Sequence, residues 1–298
     1  MAHEVVLLDG GMGTELRARG VEVPDHITSI WSAKALVADR AAVVAVHRDY
    51  IDAGADVITI NNYAVTPPLL AREGMEGDFE ALTLKAVELA ERARDASQRP
   101  VRIAGSLPPL ETSYRPDLVR DDVEIGAVYE RMAELLATRV DILLCETLSC
   151  AREAVAAARA ATAFDREVWL SWTLQGNLPD RLPSGETVEE AFDAASGLPV
   201  DGYLVNCCGA NFVTGAMEIL RKLTDKPIGG YANSANVIPA VEGEASLAPE
   251  GVERERLDVD AYGETVKEWM NRGATIVGGC CGTRPSHIAR LRQLIDSG

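Results

Sequence analysis

Six cysteines give this chain its most distinctive chemical potential, and four of them form two adjacent pairs. Cys207-Cys208 and Cys280-Cys281 each stand where a short apolar run ends. Three or four thiols that meet in space predict a zinc site, because zinc takes thiolate ligands in a tetrahedral arrangement. Glycines around Cys280 and Cys281 let the backbone turn so that both thiols bind one ion, whereas the other pair is expected to give one ligand. Three ligands leave an open fourth position, which is the catalytic arrangement.

The remaining cysteines and the histidines have simpler interpretations than metal binding. Cysteine is among the most buried residue types, and on that ground Cys145 and Cys150 are interpreted as core residues. A redox disulfide between the two cysteine pairs is a less favoured alternative to a metal. The four histidines are interpreted as structural or exposed side chains: His3, His26, His47 and His287.

An open zinc site with three thiolates predicts a particular reaction class. Such a site is a poor Lewis acid toward water, because the thiolates more than neutralise the ion, so hydrolysis is disfavoured. It can hold a substrate thiol as thiolate near neutral pH, although a free thiol has a pKa of about 8.5. Alkylation of that sulfur gives a weakly coordinating thioether that can leave. The thiols therefore predict S-alkylation.

Two carboxylates end other apolar runs. Asp9 follows the first run and Glu146 ends the fourth. A carboxylate at the end of an apolar strand is costly without a purpose, so a functional role is favoured for Glu146. Asp9 taken alone would be interpreted as the cap of a following helix.

The runs that carry these residues alternate with long helical patterns. They are apolar almost throughout, which is typical of strands buried on both faces. Eight strand–helix units predict an α/β protein with a single (β/α)8 TIM barrel that forms one domain over residues 1–298. The predicted strands are 5–8, 56–60, 102–106, 142–146, 168–173, 202–206, 227–231 and 275–279, and the predicted helices are 39–53, 79–96, 121–139, 150–163, 187–195, 212–223, 258–272 and 284–295.

The barrel explains how such distant residues could cooperate. The carboxyl ends of all barrel strands converge on one face, so the two carboxylates and four thiols should meet around one mouth. Residues 107–116, 175–185 and 233–251 are predicted to be loops on this rim. A doubly wound open sheet is the alternative, but the glycines of residues 10–13 do not form the dinucleotide-binding pattern that such sheets usually carry.

Charge and hydropathy narrow the expected partners to small molecules. The 298-residue chain has a net charge of -17, which argues against binding nucleic acid or an anionic membrane. It contains no run of about 18 apolar residues and no recognisable signal peptide, so a cytoplasmic location is expected. The oligomeric state is left open.

Five stretches resemble the zinc-dependent homocysteine S-methyltransferases. This family of barrels includes betaine-using and S-methylmethionine-using enzymes and the homocysteine module of cobalamin-dependent methionine synthase. The stretches are LLDGGMGTEL (7–16), AGADVITINNY (53–63), ETL (146–148), VNCC (205–208) and GGCCGT (278–283).

The resemblance assigns roles to individual residues. It implies that Cys207, Cys280 and Cys281 bind Zn²⁺ and that Asp9 and Glu146 hold the amino group of homocysteine. It also implies that the backbone near Gly10 and near Asn61, at the end of the second strand, receives the carboxylate of homocysteine.

The methyl donor is less clearly indicated by the resemblance. Residues 59–62 read TINN where the family often has TTNT, and residues 105–117 depart from the loop of better-known members. S-methylmethionine is the favoured donor, because the compact chain lacks the long C-terminal arm of the betaine-using enzymes; S-adenosylmethionine and betaine are alternatives. Another thiol or selenol acceptor, or a non-catalytic zinc-binding barrel, also remains open.

Overall fold

Eight parallel strands form the wall of a barrel in the computed structural model, which describes residues 4–24, 29–237 and 254–297. Hydrogen bonds join these strands in the order β1-β10-β7-β6-β5-β4-β3-β2, and a parallel bridge between Leu8 and Val57 connects the two ends of the series. Strands β8 and β9 form a separate antiparallel hairpin. The strands of the described residues are β1 (Val6–Leu7), β2 (Val57–Thr59), β3 (Arg102–Leu107), β4 (Ile142–Leu148), β5 (Glu167–Trp172), β6 (Gly202–Asn206), β7 (Ile228–Ala232), β8 (Ala235–Val237), β9 (Arg254–Arg256) and β10 (Ala274–Gly279).

Helices follow each strand of the barrel and cover its outer face. Several begin at a side chain that accepts a hydrogen bond from the first turn, as Asp39, Asp121 and Asp258 do. Thr187 begins its helix with a complete capping box. The α-helices of the described residues are α1 (Met12–Ala18), α2 (Ala35–Ala38), α3 (Arg40–Asp52), α4 (Pro67–Ala71), α5 (Phe79–Asp95), α6 (Asp122–Ala137), α7 (Ala151–Ala161), α8 (Val188–Ala195), α9 (Ala210–Leu223), α10 (Val259–Asn271) and α11 (Pro285–Ser297).

Buried apolar side chains form two layers on either side of the strands. A large cluster lies between strands and helices, and a smaller one consists of strand residues that pack against one another. Because each strand contributes to both clusters, its sequence is apolar throughout instead of alternating. The smaller cluster comprises Leu8, Val57, Ala104, Ile142, Leu144, Trp169, Leu204, Tyr231 and Ile276.

Three aspartates pin the strands at the amino end of the barrel. Asp56, Asp141 and Asp201 precede β2, β4 and β6, and each carboxylate accepts a main-chain N–H of the neighbouring strand at 2.7–2.9 Å. The donors are Leu7, Ile103 and Val168. This repeated bond fixes the alignment of successive pairs of strands on the face opposite the predicted site.

The TIM barrel predicted from the sequence is confirmed, and the open-sheet alternative is wrong. All eight predicted strands and all eight predicted long helices are present within two residues of their expected ends. The short helices α2 and α4 and the hairpin of β8 and β9 were not predicted, and α1 was expected only as a helix that Asp9 could cap. The expected loop over 233–251 is therefore wrong at Ala235–Val237, and its residues 238–251 lie outside the described part of the chain, as do His3 and His26.

Two further expectations concern the whole chain. Among the residues that the structure describes, no helix is both long and apolar enough to cross a membrane. The assignment of residues 1–298 to one domain stays a prediction.

Candidate metal and substrate site

Three thiols from two strand ends meet at the carboxyl end of the barrel. The Sγ atoms of Cys207, Cys280 and Cys281 all lie within 4.8 Å of one another, and those of Cys207 and Cys281 are 4.0 Å apart. Tetrahedral zinc with Zn–S bonds of about 2.3 Å requires sulfur atoms about 3.8 Å apart. The cluster therefore fits a single ion bound by three thiolates, with only small adjustments of the side chains.

Strand β7 lies between the two strands that carry the thiols and holds both of them. The N–H of Cys207 donates to the carbonyl of Tyr231 at 3.1 Å, and the N–H of Cys280 donates to the carbonyl of Ala232 at 2.8 Å. Cys207 has a φ of 55°, so the chain turns sharply where β6 ends. The N–H of Cys281 donates to the side chain of Asn233 at 3.2 Å. Main-chain geometry thus places the thiols before any metal binds.

In the metal-free cluster the Cys280 thiol favours its protonated form. Hydrogen bonds with Cys207 and Cys281, followed by burial, raise the pKa of the Cys280 thiol well above its ordinary value. A bound metal requires thiolates, so metal binding by this cluster must release protons.

Cys208, the neighbour of Cys207, lies outside the three-thiol group. It packs in the large apolar core, where burial raises its pKa to about 12. Cys145 and Cys150 are also buried. Both cysteines follow the end of β6, and the turn at Cys207 places its thiol in the cluster while Cys208 enters the core.

An amide network joins the end of β4 to the end of β6. The Asn206 Oδ1 atom accepts hydrogen bonds from the Thr147 N–H at 2.8 Å and from the Ser171 hydroxyl at 2.7 Å. The Asn206 amide donates in turn to the Thr147 hydroxyl at 2.7 Å. Since Thr147 follows Glu146 and Asn206 precedes Cys207, this network fixes the predicted carboxylate relative to the thiols.

Asp9 is buried beside the thiols with 7% of its surface exposed. Its Oδ2 atom accepts the N–H of Thr59 at 2.9 Å. Burial raises the pKa of Asp9 to about 8; the hydrogen bond from Thr59 lowers it, and the charge of Glu146 raises it further. Asp9 does not act as the cap of α1, because that helix has no side-chain cap and starts after Gly11.

Glu146 is equally buried, and it accepts a hydrogen bond from the Tyr231 hydroxyl at 3.1 Å. Burial raises its pKa to about 7, an effect that the nearby hydroxyls of Ser106 and Tyr231 oppose and the charge of Cys281 reinforces. Two carboxylates that raise each other's energy favour a cationic ligand, because a positive charge between them lets both ionise. The pair is therefore suited to an ammonium group.

Gly10 and Asn61, the other predicted substrate residues, lie in tightly packed surroundings. A side chain at Gly10 would approach Thr283 Oγ1 to 2.8 Å and the ring of Tyr50 to 2.9 Å, so glycine is required there. Asn61 is buried, and its amide donates to the carbonyl of Ser32 at 2.9 Å. Their roles in binding the substrate stay predictions.

Aromatic residues that the sequence analysis did not single out border the same mouth. The rings of Trp31 and Tyr63 meet edge to face with centroids 6.0 Å apart, and the Tyr63 hydroxyl bonds Ser113 at 2.7 Å. The Tyr114 hydroxyl lies 2.9 Å from the Cys207 Sγ atom. The unusual sequence of the loop after β3 was the only hint that this loop reaches the thiols.

The histidines of the described region stand apart from the cluster. Both ring nitrogens of buried His47 are unpartnered, and burial lowers its pKa to about 4, so the ring is neutral. His287 accepts the N–H of Arg284 at 3.2 Å and packs against Tyr262. Neither ring joins the group of residues that could hold a metal.

Comparisons with known proteins identify the family of this barrel. Residues 6–295 match the family model described as homocysteine S-methyltransferase. The homocysteine S-methyltransferase of Escherichia coli (strain K12) is 34% identical over 97% of this chain and 95% of its own length. The selenocysteine methyltransferase of Astragalus bisulcatus is 30% identical over 100% of this chain and 94% of its own length.

A solved structure shows the same relationship. The crystal structure of the homocysteine methyltransferase MmuM from Escherichia coli in its metallated form matches with a TM-score of 0.82 and 31% identity, over 98% of this chain and 96% of that one. This chain belongs to the homocysteine S-methyltransferase family.

Proposed function

We propose that this chain transfers a methyl group to the thiol of homocysteine, giving methionine, and that Cys207, Cys280 and Cys281 hold the zinc ion that this reaction uses. The observation that carries the proposal is the placement of three thiols, spaced for one ion, beside two buried carboxylates. When bound, zinc would keep the substrate sulfur as a nucleophilic thiolate near neutral pH. Membership of the family supports the same reaction.

Asp9 and Glu146 are proposed to bind the ammonium group of homocysteine. In the free protein burial raises the pKa of both carboxyl groups, to about 8 for Asp9 and about 7 for Glu146. The positive charge of the substrate favours their ionised forms, so binding and ionisation support each other. The backbone around Gly10 and Asn61 is proposed to receive the substrate carboxylate, as the resemblance implies.

Methylation itself favours release of the product. The substrate sulfur loses its negative charge when it becomes the thioether of methionine, and a thioether is a weaker ligand than a thiolate. Methionine keeps its ammonium group and could still contact the two carboxylates. It would lack a strong sulfur ligand for the metal, so the site should bind methionine less tightly than homocysteine.

The donor is proposed to be S-methylmethionine. A sulfonium cation suits the aromatic rings of Trp31 and Tyr63, because ring faces attract cations. Burial raises the pKa of Tyr63, and the nearby charges of Cys207 and Glu146 raise it further, which supports a position of this ring near the thiols and Glu146. Betaine and S-adenosylmethionine also carry a methylated cationic centre, and they are the alternatives to be compared.

Methionine formation from homocysteine across the three donors tests this function. The zinc-loaded chain is expected to use S-methylmethionine best, and the Cys281→Ser variant is expected to form no methionine with any donor. Absence of methionine with all three donors would contradict the proposal and favour a zinc-binding barrel without this activity.

A selenol acceptor is a second candidate, favoured by the 30% identity to a selenocysteine methyltransferase. Competition between equal concentrations of homocysteine and selenocysteine for one donor separates the two candidates. A predominance of methylated selenocysteine would assign the chain to selenol chemistry. Selenols are more acidic than thiols, so the competition should be followed at several pH values.

A further inference from the structure

The loop between β3 and α6 brings a tyrosine hydroxyl to the thiol cluster. The Tyr114 oxygen lies 2.9 Å from the Sγ atom of Cys207 and 3.0 Å from the carbonyl oxygen of the same residue. Tyr114 and Cys207 are 93 residues apart in the sequence. Tyr114 has a φ of 63°, a backbone angle that residues other than glycine rarely adopt. The loop thus takes a costly backbone conformation that directs this hydroxyl to the thiol.

The two bonds suit Cys207 both as a thiol and as a thiolate. In the free protein the tyrosine O–H can donate to the Cys207 carbonyl while the S–H donates to the tyrosine oxygen. In a metal-bound thiolate the sulfur accepts only, and the tyrosine O–H can turn to it. The carbonyl then keeps a longer bond from the Thr173 hydroxyl at 3.4 Å. Tyr114 can therefore hold the side chain of Cys207 in both states without moving.

A buried carboxyl group holds the loop that carries Tyr114. Glu153 lies in the first turn of α7 with 1% of its surface exposed. One of its oxygens accepts the N–H of Leu110 and the hydroxyl of Tyr129, both at 3.2 Å. The Leu110 carbonyl accepts the Thr66 hydroxyl at 2.8 Å, so this residue is fixed on both sides. A carboxyl group so deeply buried is costly, and one of its two bonds reaches this loop at Leu110.

We infer that Tyr114 is a positioning residue for the metal ligand Cys207, and that Glu153 acts on the same ligand through the loop that carries Tyr114. The inference rests on the metal site of the proposed function. It assigns the unusual sequence of residues 107–116 a role in holding the thiol cluster. Hydrogen bonds to the ligands of a metal orient them and typically contribute about 10–100-fold to its affinity.

Metal binding by the Tyr114→Phe variant of the full chain tests the inference. Competition with a chromophoric chelator is expected to show about 10-fold weaker binding of Zn²⁺ and Co²⁺ than in the unmodified chain. The thiolate-to-cobalt charge-transfer band is expected to shift, because one thiolate loses its hydrogen bond. A general loss of stability would not move this band.

Ser113→Ala is the matched control. It removes a hydroxyl of the same loop, bonded to Tyr63 at 2.7 Å, without removing a bond to the cluster. Metal affinity and the cobalt spectrum are expected to remain unchanged. An equal loss of affinity in both variants would overturn the inference, because any disturbance of the loop would then suffice.

Variants of Glu153 test the second half of the inference. Glu153→Ala removes the acceptor of Leu110 and Tyr129, and it should weaken metal binding, whereas Glu153→Gln keeps an acceptor oxygen and should restore it. If Glu153 acts through Tyr114, the double variant Tyr114→Phe/Glu153→Ala binds metal no more weakly than Tyr114→Phe alone. Additive losses would overturn this half.

The outcomes separate the inference from the proposed function. Unchanged affinity and an unchanged cobalt spectrum in Tyr114→Phe overturn the inference and leave the proposed function standing. Failure of the unmodified chain to bind Zn²⁺ or Co²⁺ at all overturns the metal site and the inference together.

Discussion

The two ends of the barrel use carboxylates in opposite ways. At the amino end, Asp56, Asp141 and Asp201 accept main-chain N–H groups while remaining in contact with water. At the carboxyl end, Asp9 and Glu146 are almost fully buried, and burial raises the pKa of both. The first arrangement stabilises the strands at little electrostatic cost. The second keeps two carboxyl groups in surroundings that disfavour their ionised form.

This difference separates residues that support the fold from residues that await a ligand. Burial disfavours the ionised form of Asp9 and Glu146, so a cation supplied from outside would stabilise both carboxylates. The Cys280 thiol at the same end likewise favours its protonated form until a metal arrives. Variants at the two ends should therefore have separable effects on binding and on stability, and the following predictions test that separation.

The largest effect is expected from the thiols. Cys207→Ser, Cys280→Ser and Cys281→Ser should each weaken zinc binding more than about 100-fold, because losing a ligand costs more than losing a ligand's hydrogen-bond partner. Cys208→Ser is the matched control and should retain zinc, since Cys208 packs in the core. Metal analysis after dialysis against a chelator measures both. Full zinc retention in the Cys280 and Cys281 variants would remove the basis of the site.

Glu146→Ala should weaken homocysteine binding on the order of 10–100-fold while zinc stays bound. A hydrogen bond to a charged group contributes about 1.5–3 kcal/mol, and the variant removes one carboxylate from the ammonium group. Titration calorimetry with the zinc-loaded variant gives the affinity directly. An unchanged affinity would return Glu146 to a purely structural role.

The stability of the metal-free chain should fall as the pH rises from 5 to 8. Glu146 has a folded pKa of about 7 against an ordinary value of 4.5, so the folded state binds more protons than the unfolded state across this window. Glu146→Gln removes this contribution and should reduce the fall on the order of 1–3 kcal/mol.

Denaturant unfolding of both proteins at pH 5 and pH 8 measures this difference. Glu153, whose pKa burial raises to about 7, contributes equally to both proteins and cancels. Identical pH dependence in the two proteins would show that Glu146 ionises normally in the folded state.

The smallest effect is expected at the amino end of the barrel. Asp201→Ala removes the acceptor of the Val168 N–H, which lies 2.8 Å away, and should lower the free energy of unfolding by about 1 kcal/mol. Zinc and homocysteine affinities should remain unchanged. A loss of metal binding in this variant would contradict the division between the two ends.

The sequence predicts the barrel and the meeting of the thiols better than the donor side of the mouth. Strands buried on both faces produce apolar runs, and the residues that end them converge in any such barrel. The hairpin of Ala235–Val237 and Arg254–Arg256 was missed because β9 is exposed and neither strand contains an apolar run. Tyr114 was missed for a different reason. Its contact with Cys207 depends on a left-handed residue in a loop, which no spacing pattern encodes.

The position of β7 between the two ligand-bearing strands has a consequence for folding. Second-neighbour strands lie about 9.6 Å apart, yet the Cys207 and Cys281 sulfurs approach to 4.0 Å above β7. An ion held there would tie together positions 74 residues apart, a crosslink that restricts the entropy of the last quarter of the chain. The chemistry of the mouth and the packing of β10 against β7 would then depend on the same ion, so that losing the ion loosens the final strands as well as disabling the site.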